Sequence, residues 1–127
     1  MARMRILLAA SDRDLLECYQ KILEADCGET VTAFDGTRVL TALAEERFDL
    51  VILDRQLPRV EHTKIVQRLR DGNIPVIVLS DEPDEAKKRG AAPRADAYLT
   101  HPFRPETLTG LIRAHTEKRK DSNGDGA

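Results

Sequence analysis

Five short apolar or β-prone runs alternate with segments of helical period along this chain, and that alternation leaves few folds open. The runs are Arg5 to Ala9, Thr30 to Phe34, Phe48 to Leu53, Pro75 to Leu79 and Ala97 to Thr100. After the first, Leu15, Leu16, Tyr19, Ile22 and Leu23 recur at helical spacing. Ser11 with Asp14 three residues on is an N-terminal capping signature for that helix, and Gly28 is placed to close it. Asp35-Gly36-Thr37 opens a second helix, with Val39, Leu40, Leu43 and Ala44 on one face. Ile65, Val66 and Leu69 mark a third, stopped by Asp71-Gly72-Asn73. Pro105 suits a first helical position and opens the last helix, which carries Leu108, Leu111 and Ile112. Between Ser80 and Tyr98 the only apolar residues are alanines, and Gly90 and Pro93 interrupt them. A short, mobile fourth helix is expected there, over about residues 82–93.

Strand followed by helix, five times, calls for an α/β fold: a doubly wound, five-stranded parallel sheet with five helices. Phe48 to Leu53 is almost wholly apolar, as a central parallel strand covered on both faces must be. Sites in such sheets form beyond the carboxyl ends of the strands, where the strand order reverses. Asp54, Ser80 and the pair Ala10-Ser11 all stand at strand carboxyl ends. The fold reading alone therefore brings them together.

At 127 residues the length fits one domain, expected over 1–116, with a charged, Gly/Asp/Ser-rich stretch over 117–127 expected to be a disordered polar tail. Net charge is -2, which gives no basic field to draw the chain onto nucleic acid or an acidic membrane. Ile6 to Ala10 is too short for a membrane span or a signal core, so a cytoplasmic protein is expected. Cys18 and Cys27 lack any metal-binding or redox spacing and read as free thiols. With no Trp and few aromatics, no base-stacking platform is suggested. No Gly-rich phosphate loop, catalytic triad or metal cluster is present in the pattern, and no enzyme is expected.

The stretch Phe48-Asp49-Leu50-Val51-Ile52-Leu53-Asp54-Arg55-Gln56-Leu57-Pro58 resembles the phosphoacceptor strand and loop of response-regulator receiver domains. Ile74 to Ser80 and Ala95-Asp96-Ala97-Tyr98-Leu99-Thr100-His101-Pro102-Phe103 extend the resemblance over about residues 4 to 115. The resemblance implies a flavodoxin-like topology for the sheet. In that family a strand-terminal Asp takes the phosphoryl group of a phosphohistidine donor. Two acidic residues and a backbone carbonyl hold Mg²⁺. A Ser/Thr and a Lys grip the phosphoryl group, and an aromatic residue passes the change to the output face.

The resemblance implies that Asp54 is the phosphoacceptor; otherwise it is a strand-end Asp that caps a loop. Ser80 falls on the switch hydroxyl and Tyr98 on the switch aromatic, each with a plain structural alternative: a strand-end hydroxyl and a packed tyrosine. The acidic pair is replaced by Ala10 and Ser11, and the lysine by His101, which can pair with Asp54 or face solvent. Mg²⁺ prefers carboxylate, water and phosphate oxygens. No metal site is expected with confidence; Asp12, Asp54 and Gln56 are the weak candidates, with Glu61 a further source of charge. Asp12 also fits the first turn of a helix. His62 and His115 read as residues at a helix start and in a last helical turn. Arg94 stands where the family has Gly, which implies a changed backbone path.

The expectation is a receiver-like module of two-component (phosphorelay) type that works by protein–protein interaction, with impaired or absent Mg²⁺-dependent phosphorylation and no cofactor. Its partner, a histidine kinase or an effector domain, is expected on the face formed by residues 82–93, the last strand and the last helix. Two rivals stand beside it: a phosphorylatable response regulator that accepts phosphoryl on Asp54 and uses Mg²⁺, and a flavodoxin-like small-ligand binder or enzyme. Whether an effector domain follows in the natural protein is left open.

Overall fold

The computed structural model describes residues 4–57, 62–80, 97–100 and 103–125; within its helices, residues 62, 63, 66 and 116–125 are described by backbone alone. In chain order the elements are β1 (Met4–Ala9), α1 (Arg13–Asp26), β2 (Gly28–Ala33), α2 (Gly36–Glu45), β3 (Leu50–Asp54), α3 (His62–Asp71), β4 (Val76–Ser80), β5 (Ala97–Thr100) and α4 (Pro105–Asp125). The strands form one sheet in the order β2-β1-β3-β4-β5, and every pairing is parallel. The doubly wound, five-stranded sheet expected from the alternation is therefore present, with four helices among the described residues. The fourth helix expected over 82–93 and Arg94 lie outside those residues.

Alternation along the strands splits the core in two. Leu7, Val51, Leu53, Val76 and Val78 face one way, onto Val39 of α2 and Ile65 and Leu69 of α3. Ile6, Leu8, Leu50, Ile52 and Leu79 face the other way, onto Leu16 and Leu23 of α1 and Leu108 and Ile112 of α4. Leu50 to Leu53 are all fully buried, which explains why β3 has no polar alternation.

The helix ends correct the sequence reading in three places. The N-cap of α1 is Asp12, not Ser11: its carboxylate accepts from the Asp14 and Leu15 amides at 2.9 and 3.2 Å. A carboxylate one residue later outcompetes the hydroxyl because it is charged and meets the positive end of the helix. Gly28 does not close α1. Cys27 is the C-cap, its amide donating to the Leu23 carbonyl, and Gly28 begins β2. At the other end of the fold, α4 runs to Asp125, past the boundary expected near residue 116. Glu117-Lys118-Arg119-Lys120 are good helix formers, and no proline stops them. His115 is consequently inside α4, not in its last turn, and its Nδ1 lies 2.8 Å from the Leu111 carbonyl.

The Asp12 cap carries a direct test. Asp12→Ala is expected to lower stability by about 0.5–2 kcal/mol, whereas Ser11→Ala should stay within about 0.5 kcal/mol of the parent. Urea unfolding followed by circular dichroism separates the two, and a larger loss for Ser11→Ala would return the cap to Ser11.

The sheet has two edges. At the β2 edge the Gln20 side-chain amide donates to the Thr30 carbonyl at 3.1 Å. Just beyond β2, Phe34 is exposed, with the Arg38 and Arg13 guanidinium groups 4.3 and 5.8 Å from its ring centre. Among the described residues no helix is long and apolar enough to cross a membrane, and Cys18 and Cys27 are free thiols.

Candidate functional site

The register places the crevice. Ala9 lies beside Leu53 on one side and Ala33 on the other, so Ala10 is level with the carboxyl end of β3, where Asp54 stands. Asp54 in turn pairs with Leu79, and Ser80 follows it. The Ala10 amide donates to the Ala33 carbonyl at 3.0 Å, tying the β1–α1 loop to the end of β2. Ala10, Asp54 and Ser80 thus meet at the sheet's carboxyl edge. The strand order reverses there, since β1 is flanked by β2 on one side and β3 on the other.

Asp54 is half-buried at the end of β3. One carboxylate oxygen accepts the Gln56 amide at 2.9 Å, and the Asp54 carbonyl accepts the Leu57 amide at 3.1 Å. The Arg55 amide donates to the Leu79 carbonyl at 2.8 Å, so the ladder continues one residue past Asp54 before the chain turns. Leu50 and Ile52, at the same parity as Asp54, belong to the core under α1 and α4. Asp54 therefore leaves the sheet on the α1 side. One backbone N–H in the turn that follows, that of Gln56, thus donates to the carboxylate itself.

Ser80 ends β4 opposite Thr100 and is buried, at 2 % exposure. Tyr98 sits in β5 opposite Val78 and is 37 % exposed. His101, Pro58, Glu61 and the His62 side chain lie outside the described residues; the His62 backbone opens α3.

The acidic-pair positions do not fit Mg²⁺. Ala10 is fully buried and its side chain has no oxygen to offer. Ser11 is exposed and presents only a hydroxyl. The nearby carboxylate of Asp12 faces its own helix and holds two amides. Gln56 is exposed, and its backbone N–H donates to the Asp54 carboxylate, a bond that leaves out its own oxygens. Among the described residues no group of three His, Cys, Asp or Glu side chains is placed to hold a metal. Mg²⁺ sites draw on one or two carboxylates besides water and phosphate, and among the described strand ends Asp54 is the one that supplies a carboxylate to the crevice.

One contact went unread in the sequence. The rings of Tyr19 on α1 and Phe103, just ahead of α4, stack at 5.4 Å and 27°. Both pack onto the core beneath α1 and α4. Burial, with smaller contributions from Cys18 and Asp54, holds the Tyr19 phenol above its ordinary pKa. The helical spacing that places Tyr19 on the inner face of α1 was legible; its long-range partner was not.

A groove of about 480 Å³ lies elsewhere, lined by Val31, Thr32, Thr37, Arg38, Thr41 and Glu45 among others, with none of the crevice residues.

Comparison with known proteins converges on one family. The family model for the response regulator receiver domain matches residues 6–113. Over 121 residues the chain is 34% identical to the DNA-binding response regulator MtrA of Mycobacterium tuberculosis, covering 94% of this chain and 53% of that protein. The BeF3-activated DrrB receiver domain superposes with a TM-score of 0.80 at 28% identity, covering 91% and 99% of the two chains. The chemotaxis response regulator CheY4 of Vibrio cholerae gives 0.78 at 26%, covering 89% and 98%. The chain spans about half the length of the curated relatives it matches.

Proposed function

This chain belongs to the response regulator receiver domain family, and on that premise we propose that it is a signalling module that acts by binding a protein partner, with Mg²⁺-dependent phosphorylation of Asp54 impaired or absent. The observation that carries this reading is the state of the acidic pair: a buried alanine, an exposed serine, and a following aspartate whose carboxylate caps α1.

The electrostatics support it. A carboxylate that attacks a phosphoryl group meets a group already negative, and positive charge must offset the repulsion. Two unit charges at 4 Å interact by ~4 kcal/mol at an effective dielectric of 20. Loss of a carboxylate ligand to a divalent ion removes an attraction of at least that order, and each ~1.4 kcal/mol is tenfold in affinity. Asp54 keeps its place at the end of β3, with the Gln56 N–H on its carboxylate, but among the described residues no group of three acidic, His or Cys side chains stands ready to hold the ion.

The partner in this reading is a histidine kinase or an effector domain, docked on β5 and α4 together with the segment over 82–93. The module is non-enzymatic and cytoplasmic. Family membership favours signalling over a small-ligand binder, and the groove found beside β2 and α2 contains none of the crevice residues.

The test is incubation with Mg²⁺ and acetyl phosphate, followed by intact mass. The expected result is no gain of a phosphoryl mass. A gain that disappears in Asp54→Ala would overturn the reading in favour of a phosphorylatable regulator.

A further inference from the structure

We propose that the outer face of α2, beside β2, is where a second copy of this chain docks, with the two α2 helices antiparallel about a twofold axis and Arg38 of each paired to Glu45 of the other. The inference goes beyond the proposed function, which concerns β5 and α4, and does not depend on it.

The charges of α2 run against the helix that carries them. Arg38 is the third residue after the Asp35 N-cap and Glu45 is the last residue of the helix. A cation therefore stands at the positive end and an anion at the negative end, and the macrodipole favours the reverse at both. Both side chains are exposed, and among the described residues neither takes part in an ion pair. Asp35, the acid nearest Arg38 in sequence, has a carboxylate oxygen on the Arg38 amide at 2.8 Å. Glu46, next to Glu45, is paired with Arg5. The reason for the placement of Arg38 and Glu45 thus lies outside α2.

The spacing supplies the complement. Arg38 and Glu45 are seven residues apart, two turns and roughly 10 Å along the axis, so they share one stripe but cannot reach each other. A twofold axis crossing that stripe between Thr41 and Ala42 sets Arg38 of one copy opposite Glu45 of the other, and makes the contact twice. Each charge then also meets the end of the other helix's dipole that suits it. Thr41, near the axis, donates its hydroxyl to the Thr37 carbonyl at 3.0 Å, so that group is satisfied before contact. The Arg38 guanidinium lies 4.3 Å from the centre of the exposed Phe34 ring, which holds it in place and leaves less freedom to lose on pairing. The groove of about 480 Å³ runs along the same face, with Arg38 and Glu45 both on its wall and Val31 and Ala42 in its lining, and gives room for side chains of the other copy.

Sedimentation velocity of the full chain over a range of concentrations reads the assembly. The parent is expected to form a dimer that salt weakens. Arg38→Glu and Glu45→Arg each turn two attractions into two repulsions, and each should weaken dimerisation by at least about tenfold. Both substitutions give α2 a charge its dipole prefers, so circular dichroism should show the fold retained, and loss of the dimer is separable from loss of the fold. Arg38→Glu and Glu45→Arg combined in one chain should restore the dimer. An equal mixture of the two single variants should restore it as a heterodimer, since one copy then carries only acidic and the other only basic residues at these positions. A parent that stays monomeric at every concentration overturns the proposal and leaves the face to a different protein. A dimer that survives either single reversal, or that neither the double reversal nor the mixture restores, overturns it too. None of these outcomes bears on the acetyl phosphate result.

Discussion

Gly28→Ala is expected to destabilise the protein by about 1–3 kcal/mol, the cost of a strained backbone position, although it adds a single methyl group. A Cβ at Gly28 would lie 2.2 Å from the Met4 carbonyl oxygen and 2.7 Å from its amide nitrogen. Both are backbone atoms, so no side-chain rotation relieves the collision. Gly28 and Met4 form the first rung of the β1–β2 ladder, and its φ of 158° already lies where L residues are rare. The ladder must part at that rung or β2 must shift.

Gly110 provides the opposite case within the same fold. Its Cβ would meet nothing within 4 Å, and it sits inside α4. Gly110→Ala should therefore stabilise by about 0.4–1 kcal/mol, by removing backbone freedom from the unfolded chain. Urea denaturation of both variants is the measurement. If Gly28→Ala fell within about 0.5 kcal/mol of the parent, the usual range for neutral surface changes, the close approach of β1 and β2 would be wrong.

The second large effect is a gain. Ser11→Asp is expected to create measurable Mg²⁺ binding where the parent has little. Position 11 is exposed and beside the crevice, so a carboxylate there suffers no burial penalty before the ion arrives. At ~4 kcal/mol per charge pair the change is about a thousandfold in affinity. Ala10→Asp is the more demanding substitution. Ala10 is fully buried against the core beneath α1, and an ionised carboxylate there is costly unless a cation pairs with it. The double variant should be less stable than Ser11→Asp in the absence of Mg²⁺ and recover as Mg²⁺ is added, since an ion that binds only the folded state stabilises it by mass action. Calorimetric titration with Mg²⁺ reads the affinities. A parent that binds Mg²⁺ as tightly as Ser11→Asp would mean that other oxygens already hold the ion, and Asp12 and Glu61 would be the first to replace.

Much of this molecule could be read from pattern. The five strands follow from runs such as Leu50 to Leu53, whose unbroken apolar character has one economical explanation in a sheet covered on both faces. Convergence of Ala10, Asp54 and Ser80 followed from strand ends alone, and the register bears it out. The helix starts were less legible. Ser11 and Asp12 are both competent caps, and the choice rests on which backbone amides the turn presents, a matter of a single residue's rotation. Gly28 was read as a helix stop because glycine most often serves there; its use here is a close backbone approach to a strand 24 positions earlier, which leaves no local trace. The Tyr19–Phe103 stack joins residues 84 positions apart and is visible only once α1 and α4 lie on the same face.

The bond from Gln20 to the Thr30 carbonyl has a meaning for how copies of this molecule coexist. An outermost strand carries hydrogen-bonding groups that face no neighbour, and an extended stretch of any other polypeptide can dock on them. By reaching around from α1, Gln20 occupies one such group with its own amide, in the middle of β2. A side chain from the helix layer thus guards the rim, and it limits how far the sheet can be continued by a strand from another molecule.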